Sequence, residues 1–152
     1  PNTPAQIRKG ISAWTASKEV DRTTLDFVKD MLQAIGDEIR FTDEKNIDIA
    51  TALSGSGPGY VFVFIEALTD AGVELGLPVQ TARDLASQTV LGSAALQRES
   101  GKHPAELRNM VTSPGGTTAA GLASLENGGF RGIIADAVRT AFERGEDLAG
   151  GK

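Results

Sequence analysis

The chain has 152 residues, 40% hydrophobic and 23% charged, a balance that excludes disorder and marks a globular protein of one ordinary domain or one small domain plus part of another. The net charge is −5 with no long basic run, which argues against nucleic acid as a partner, since phosphate backbones need a clustered positive face. Cysteine is absent, which excludes disulfides, thiolate chemistry and cysteine-based metal sites and fits a reducing, cytoplasmic setting; no apolar run reaches membrane-spanning length.

Residues 1–8 (Pro-Asn-Thr-Pro-Ala-Gln-Ile-Arg) are expected to form an extended loop, because each proline biases its predecessor away from helix. Ile11, Ala13 and Thr15 alternate with Ser12, Trp14 and Ala16, which predicts a strand around Gly10–Ser17. Asp21 is a candidate cap for a helix carrying Leu25, Phe27, Val28, Met31, Leu32 and Ile35 and ending at Gly36. Glu38–Thr42 alternates again and reads as a short strand. Two strands and one helix cannot enclose a core alone, so this start reads as the edge of a larger α/β sheet.

From Asp43 the pattern is helical throughout. A first helix with Ile47, Ile49, Ala50 and Leu53 is expected to stop at Ser54-Gly55-Ser56-Gly57-Pro58-Gly59, a tight helix–helix corner. A second helix, from about Pro58 to Gly76, is apolar nearly all round, which implies burial on several sides by its own domain or a partner subunit. Leu77-Pro78 breaks the chain before a helix over about Val79–Glu99, whose Gly92–Ala95 stretch is small enough for close approach of another helix. Pro104–Met110 predicts a short helix. The last helix has the clearest periodicity, with Phe130, Ile133, Ile134, Ala137, Val138, Ala141 and Phe142 on one face. Gly145 to Lys152 reads as a frayed end.

The stretch Met110-Val111-Thr112-Ser113-Pro114-Gly115-Gly116-Thr117-Thr118 carries the strongest chemical suggestion. Gly115 and Gly116 can take backbone angles closed to other residues, and Thr117 or Thr118 is a candidate N-cap for the helix that follows. The first amides of that helix, with its dipole, suit a carboxylate or phosphate. On the residues alone this stays open between an anion site and a purely structural turn. His103, the only histidine, directly precedes Pro104 and reads as a helix start. The Ser54–Gly59 stretch lacks the full G-x-G-x-x-G pattern and the P-loop lysine, and follows a helix, so its nucleotide signature fails. Glu66, Asp70 and Glu74 share a spacing of four residues and read as a solvated stripe. No second histidine or cysteine exists to build a transition-metal site.

Ala52–Tyr60, then Gly101-Lys102-His103-Pro104, then Val111–Thr118, then Leu125–Arg131 form an ordered set that resembles pyrroline-5-carboxylate reductase, and Pro1-Asn2-Thr3-Pro4-Ala5 resembles that family's segment near the nicotinamide. The resemblance covers essentially the whole chain. It implies a mainly α fold, a helical dimerisation bundle over residues 43–152, preceded over residues 1–42 by a strand–helix–strand remnant of a Rossmann-type dinucleotide-binding domain. It implies reduction of 1-pyrroline-5-carboxylate to proline with NADPH or NADH, and a homodimer that groups into a ring of dimers, with no nucleic-acid or membrane partner.

By the same resemblance, Val111, Ser113 and the amides of Gly115, Gly116 and Thr117 bind the substrate, and Thr118 binds it too, its hydroxyl lying near the ring nitrogen as the catalytic group. Asn2, Ser56, Gly57 and Pro58 lie at the nicotinamide end of the cofactor site. A metal is not implied. The Gly-rich strand–turn–helix that holds the cofactor diphosphate in such enzymes does not occur in these 152 residues. With Pro1 as the first residue, the expectation is therefore a fragment or processed product, inactive alone. The alternative is a non-catalytic oligomerisation or proline-sensing module.

Overall fold

The computed structural model describes residues 1–150. The chain opens with a 3-10 turn over Thr3–Ile7, where an extended loop was expected. Pro4 lies in its first turn, where a missing N–H and a fixed φ cost nothing, and Arg8 closes it in the left-handed region at φ 58. Strand β1 (Gly10–Trp14), helix α1 (Arg22–Gln33) and strand β2 (Gly36–Arg40) follow, and the strands pair in parallel with Gly10 opposite Gly36 and Trp14 opposite Arg40.

Both strands differ from their expected limits: β1 ends at Trp14, and Gly36 is the first paired residue of β2 rather than a helix stop. The reason is close backbone approach. Gly36 has φ +148, and a Cβ there would run into the Gly10 carbonyl, so only glycine starts this ladder. Across the sheet, Trp14 Nε1 donates to Glu38 Oε2 at 2.7 Å, and the Arg40 guanidinium lies 5.4 Å from the centre of the Trp14 ring. Asp21 caps α1 as expected, accepting from Thr24 N at 2.9 Å.

Helix α2 (Lys45–Ala50) starts just after Asp43, whose carboxylate accepts from Lys45 N at 3.0 Å. The expected stop at Ser54–Gly59 does not occur. Instead a π-helical turn over Thr51–Gly55 leads into α3 (Gly57–Glu74), with Ser56 N donating to Thr51 O at 2.9 Å and Ser56 still in the right-handed helical region. Pro58 cannot donate to a preceding carbonyl, and the one-residue expansion of a π turn absorbs that break without ending the helix.

Helices α4 (Val79–Ser100), α5 (Pro104–Met110), α6 (Thr117–Asn127) and α7 (Phe130–Ala149) complete the described chain. Gly145 lies inside α7, which runs on to Ala149 instead of fraying; Gly151 and Lys152 lie outside the described residues. The chain divides into two compact units, one of Pro1–Tyr60 with the end of α7 from Ala135, the other of Val61–Ile134. In the second, α3 and α4 meet through small residues: a Cβ on Gly72 would stand 3.1 Å from that of Ala82, which is itself buried. Within this chain no helix approaches Gly92 in the same way, since a Cβ there would meet nothing within 4 Å. Phe64 and Phe130 stack at 6.2 Å between ring centres, tilted by 46°. Buried apolar side chains are limited to Ala52, Ala82 and Ala86 among the described residues, whereas Val61, Phe62, Val63 and Phe64 in α3 are all exposed.

Candidate functional site

The loop between α5 and α6 is built on a short series of backbone turns. Thr112 N donates to Asn109 O at 3.1 Å, and its hydroxyl donates to Arg108 O at 2.6 Å, so Thr112 is committed to closing α5. Gly116 N donates to Ser113 O at 3.0 Å, folding Pro114 and Gly115 into a tight turn. The two glycines answer different needs. Gly115 has φ 69, the left-handed region that glycine enters without strain. Gly116 is extended, at φ −78 and ψ 169, and is small because a Cβ would meet the Ser113 hydroxyl and carbonyl.

Gly116 is also the N-cap of α6, and no side chain caps that helix. Thr117 and Thr118 are therefore the first two residues inside α6, not its cap as the sequence suggested. The leading amides of an α-helix have no partner within it, and here no side chain supplies one. The contrast with α1, whose Thr24 amide is taken by Asp21, is direct. No hydrogen bond engages the hydroxyls of Ser113, Thr117 or Thr118 among the described residues. Ser113, Gly115 and Thr117 are exposed, Gly116 and Thr118 half-buried, and Val111 is exposed at the end of α5. One turn thus brings together every substrate-site residue expected from the sequence except Val111, which precedes it. Its N–H and O–H donors, with the helix dipole behind them, can hold an anion of carboxylate size.

The second expected group sits at the π turn in the other unit. Here most polar groups are already engaged: Ser54 Oγ donates to Ala50 O at 2.8 Å, Thr51 Oγ1 to Ile47 O at 2.8 Å, and the Tyr60 hydroxyl to Ala52 O at 3.3 Å, while the Ser56 hydroxyl makes no hydrogen bond among the described residues. Asn2 reaches across from the start of the chain. Its Nδ2 donates to Ser54 O at 3.0 Å and its Oδ1 accepts from Ile11 N at 3.0 Å. Ser56, Gly57 and Pro58 are half-buried, and a Cβ on Gly57 or Gly59 would meet nothing within 4 Å. This is a face where a flat group can come close to the backbone. It carries no cation and no uncapped row of amides for a diphosphate.

His103 is the N-cap of α5, with Nδ1 accepting from Ala105 N at 3.2 Å, the helix-start role expected of it. Glu66, Asp70 and Glu74 are all exposed, and no group of three metal-ligating side chains occurs among the described residues. Carboxyl groups held below their ordinary range are Glu19, by the Ser17 hydroxyl, and Asp21, by the Thr24 amide; both are exposed and neither belongs to the two sites. A pocket of about 190 Å³ between the sheet and α2 is lined by Ile11, Ala13, Ile39, Phe41 and Ile49. Ligand pockets usually hold roughly 300–1,000 Å³ with a few convergent polar groups, so this one is a gap in packing rather than a substrate site. No helix of the described chain is long and apolar enough to cross a membrane.

Sequence reasoning missed the twofold engagement of Asn2 and the π turn itself. The signals were present. Asn2 precedes a 3-10 turn whose second residue, Pro4, has no amide to be capped, and Pro58 follows a helical run that it cannot continue regularly.

Known proteins share this architecture. A reductase named for pyrroline-5-carboxylate in Synechocystis sp. is 48% identical over 148 residues, which is 97% of this chain and 55% of that protein. The Pisum sativum protein of the same name is 46% identical over 149 residues, 98% of this chain and 54% of that protein. A crystal structure from Plasmodium falciparum, solved with NADP bound, superposes with a TM-score of 0.91 at 38% identity, covering 97% of this chain and 59% of that one. A pyrroline-5-carboxylate reductase structure from Coxiella burnetii gives 0.94 at 39% identity, covering 97% and 55%. The chain spans about half the length of the curated relatives it matches. Residues 44–148 match the family model described as pyrroline-5-carboxylate reductase dimerisation, from the start of α2 nearly to the end of α7. With that match over most of its length, the chain belongs to the pyrroline-5-carboxylate reductase dimerisation family.

Proposed function

We propose that this chain is the substrate-binding and dimerising part of an NAD(P)H-dependent reductase that converts 1-pyrroline-5-carboxylate to proline. The observation that carries this reading is the uncapped N-terminus of α6, flanked by the free hydroxyls of Ser113, Thr117 and Thr118. The substrate carboxylate would be held by Ser113 and the amides of Gly115, Gly116 and Thr117, with Val111 beside it. Each of these polar groups can donate to a carboxylate, and the helix dipole adds to them.

A bound reduced nicotinamide would supply hydride to the imine carbon. Ser56 and the start of α3, at Gly57 and Pro58, fit the approach of such a ring because open space stands where the glycine side chain would be. The diphosphate would be held outside these 152 residues. A new C–H bond at carbon requires a proton at the ring nitrogen, so charge there has to be balanced by a nearby donor. Thr118 is suited to orient the ring and relay that proton from water; its hydroxyl is too weak an acid to be the source.

The same reading takes residues 1–42 as the end of a dinucleotide-binding domain and 43–152 as a helical domain that pairs with a second copy. The exposed surface supports a partner. The chain exposes 11172 Å². A compact chain of this size would expose about 7,300 Å², and even two separate globules of half the size about 8,900 Å². The surplus exceeds the roughly 800 Å² that each partner contributes to an ordinary interface. Exposed Val61, Phe62, Val63 and Phe64 on α3 suit it. A ring of such dimers and a cytoplasmic setting belong to the same proposal.

The test is 1-pyrroline-5-carboxylate-dependent oxidation of NADPH and NADH, by this chain alone and by the full-length protein that contains it. Turnover by the full-length protein and none by the chain is expected. A full-length protein that dimerises but never turns over would leave a non-catalytic oligomerisation or proline-sensing module in its place.

A further inference from the structure

Helical backbone leaves a carbonyl without a partner wherever proline stands four residues on. Ser54 is in that position, because its α-helical partner would be the amide of Pro58, which has no N–H. The π-helical alternative, five residues on, is Gly59, and Gly59 N donates to Ser56 O at 2.9 Å instead. Both regular donors are therefore lost to the Ser54 carbonyl. Half-buried, it would carry a cost if left unmade.

Asn2 supplies what is missing. As N-cap of the 3-10 turn it would ordinarily accept from an amide of that turn, but its side chain makes no cap bond. The second residue of the turn is Pro4, without an N–H, and the third, Ala5, donates to the backbone oxygen of Asn2 at 3.0 Å. The carboxamide is thus left over. Its Oδ1 holds Ile11 N at the start of β1, and its Nδ2 holds Ser54 O. One side chain thus ties Ser54, 52 positions away in sequence, to the start of the sheet.

We propose that Asn2 is a positioning residue for the cofactor-facing turn, its amide replacing the N–H that Pro58 lacks. Rather than gripping the nicotinamide, it fixes the turn that presents Ser56, Gly57 and Pro58. This rests on the reductase reading only for its consequence in catalysis; the clamp itself is read independently.

The experiment is a cycle in the full-length protein with Asn2→Ala, Asn2→Asp, Pro58→Ala and Asn2→Ala/Pro58→Ala. The first readout is amide hydrogen exchange of peptides covering residues 51–60, which needs no activity. Asn2→Ala should speed exchange there about tenfold, the loss of one bond to a part-buried carbonyl. In the Pro58→Ala background, where a backbone N–H is available again, the same change should have less than about a threefold effect. Asn2→Asp keeps the acceptor for Ile11 N but has no donor at neutral pH, so it should behave like Asn2→Ala. The second readout is kinetic: KM for the nicotinamide cofactor should rise about tenfold in Asn2→Ala while kcat and KM for the imine change less than about twofold. Equal effects of Asn2→Ala in both backgrounds, or an Asn2→Asp protein that exchanges like wild type, would overturn the clamp. Faster exchange with an unchanged cofactor KM would overturn its positioning role. A wild-type protein without reductase activity would instead sink the reductase reading, and the exchange cycle would still judge the clamp.

Discussion

The two Gly-Pro-hydroxyl segments of this chain look alike in sequence and are opposite in structure. Around Ser54–Pro58 most polar groups are consumed: the Ser54 hydroxyl bonds back to the preceding turn, Tyr60 takes the Ala52 carbonyl and Asn2 takes that of Ser54, leaving the Ser56 hydroxyl open. Around Ser113–Thr118 they are left open, with a glycine cap that contributes no side chain and three unengaged hydroxyls. The lesson is that the same residue types make a surface or a site according to whether the backbone satisfies itself. A turn whose donors are mostly spent offers chiefly shape, whereas one whose donors are free can bind charge.

The largest effect expected from breaking this contrast is at Thr118. In the full-length protein Thr118→Ala should lower turnover about 100-fold, the low end for a lost proton-transfer group, whereas Ser113→Ala should act chiefly on KM for the imine. Steady-state kinetics on both variants checks this, and a Thr118→Ala protein with unchanged kcat removes the residue from the mechanism. Next in size is Gly115→Ala. Forcing a side chain into φ 69 costs roughly 1–2 kcal/mol, so affinity for the imine should fall about tenfold while Gly116 N still reaches Ser113 O.

The π turn should respond in the opposite sense. A Cβ on Gly59 meets nothing within 4 Å, and Ala is about 1 kcal/mol better than Gly in a helix. Gly59→Ala should therefore raise thermal stability while raising KM for the cofactor, and a variant with higher stability and unchanged cofactor KM would show that no ring approaches there. The smallest effect concerns the capped helix that serves as a control. The Thr24 amide lowers the Asp21 pKa in the folded state. Its contribution to stability is therefore complete above the ordinary aspartate range and disappears as pH falls through the lowered folded value. Urea unfolding of Asp21→Asn should match wild type near neutrality and lose the acid-side slope that wild type shows.

Periodicity and punctuation carry most of the secondary structure. The alternation around Gly10–Ser17, the cap at Asp21, the break at Leu77-Pro78 and the apolar face from Phe130 to Phe142 are local patterns, and each marks an element, although the strand stops early at Trp14. The composition of the Ser113–Thr118 loop also sufficed to nominate an anion site, because Pro-Gly-Gly-Thr-Thr before a helix is a local signal. Local reading failed where backbone groups are satisfied from far along the chain. No window around Ser54 contains Asn2, so a run that reads as a helix stop became a π turn held from the N-terminus. Likewise Gly36 reads as a helix terminator until Gly10 lies opposite it, when its missing side chain becomes a condition of strand pairing. Gly92 and Gly72 were equally small on paper, and only packing decided that Gly72 meets Ala82. The sequence by itself marked most of the helices and strands and nominated one loop as a place for an anion, because those signals depend on neighbours within a few residues. The tertiary structure decided how the Ser54 carbonyl is satisfied, because that depends on Asn2, 52 positions away in the sequence.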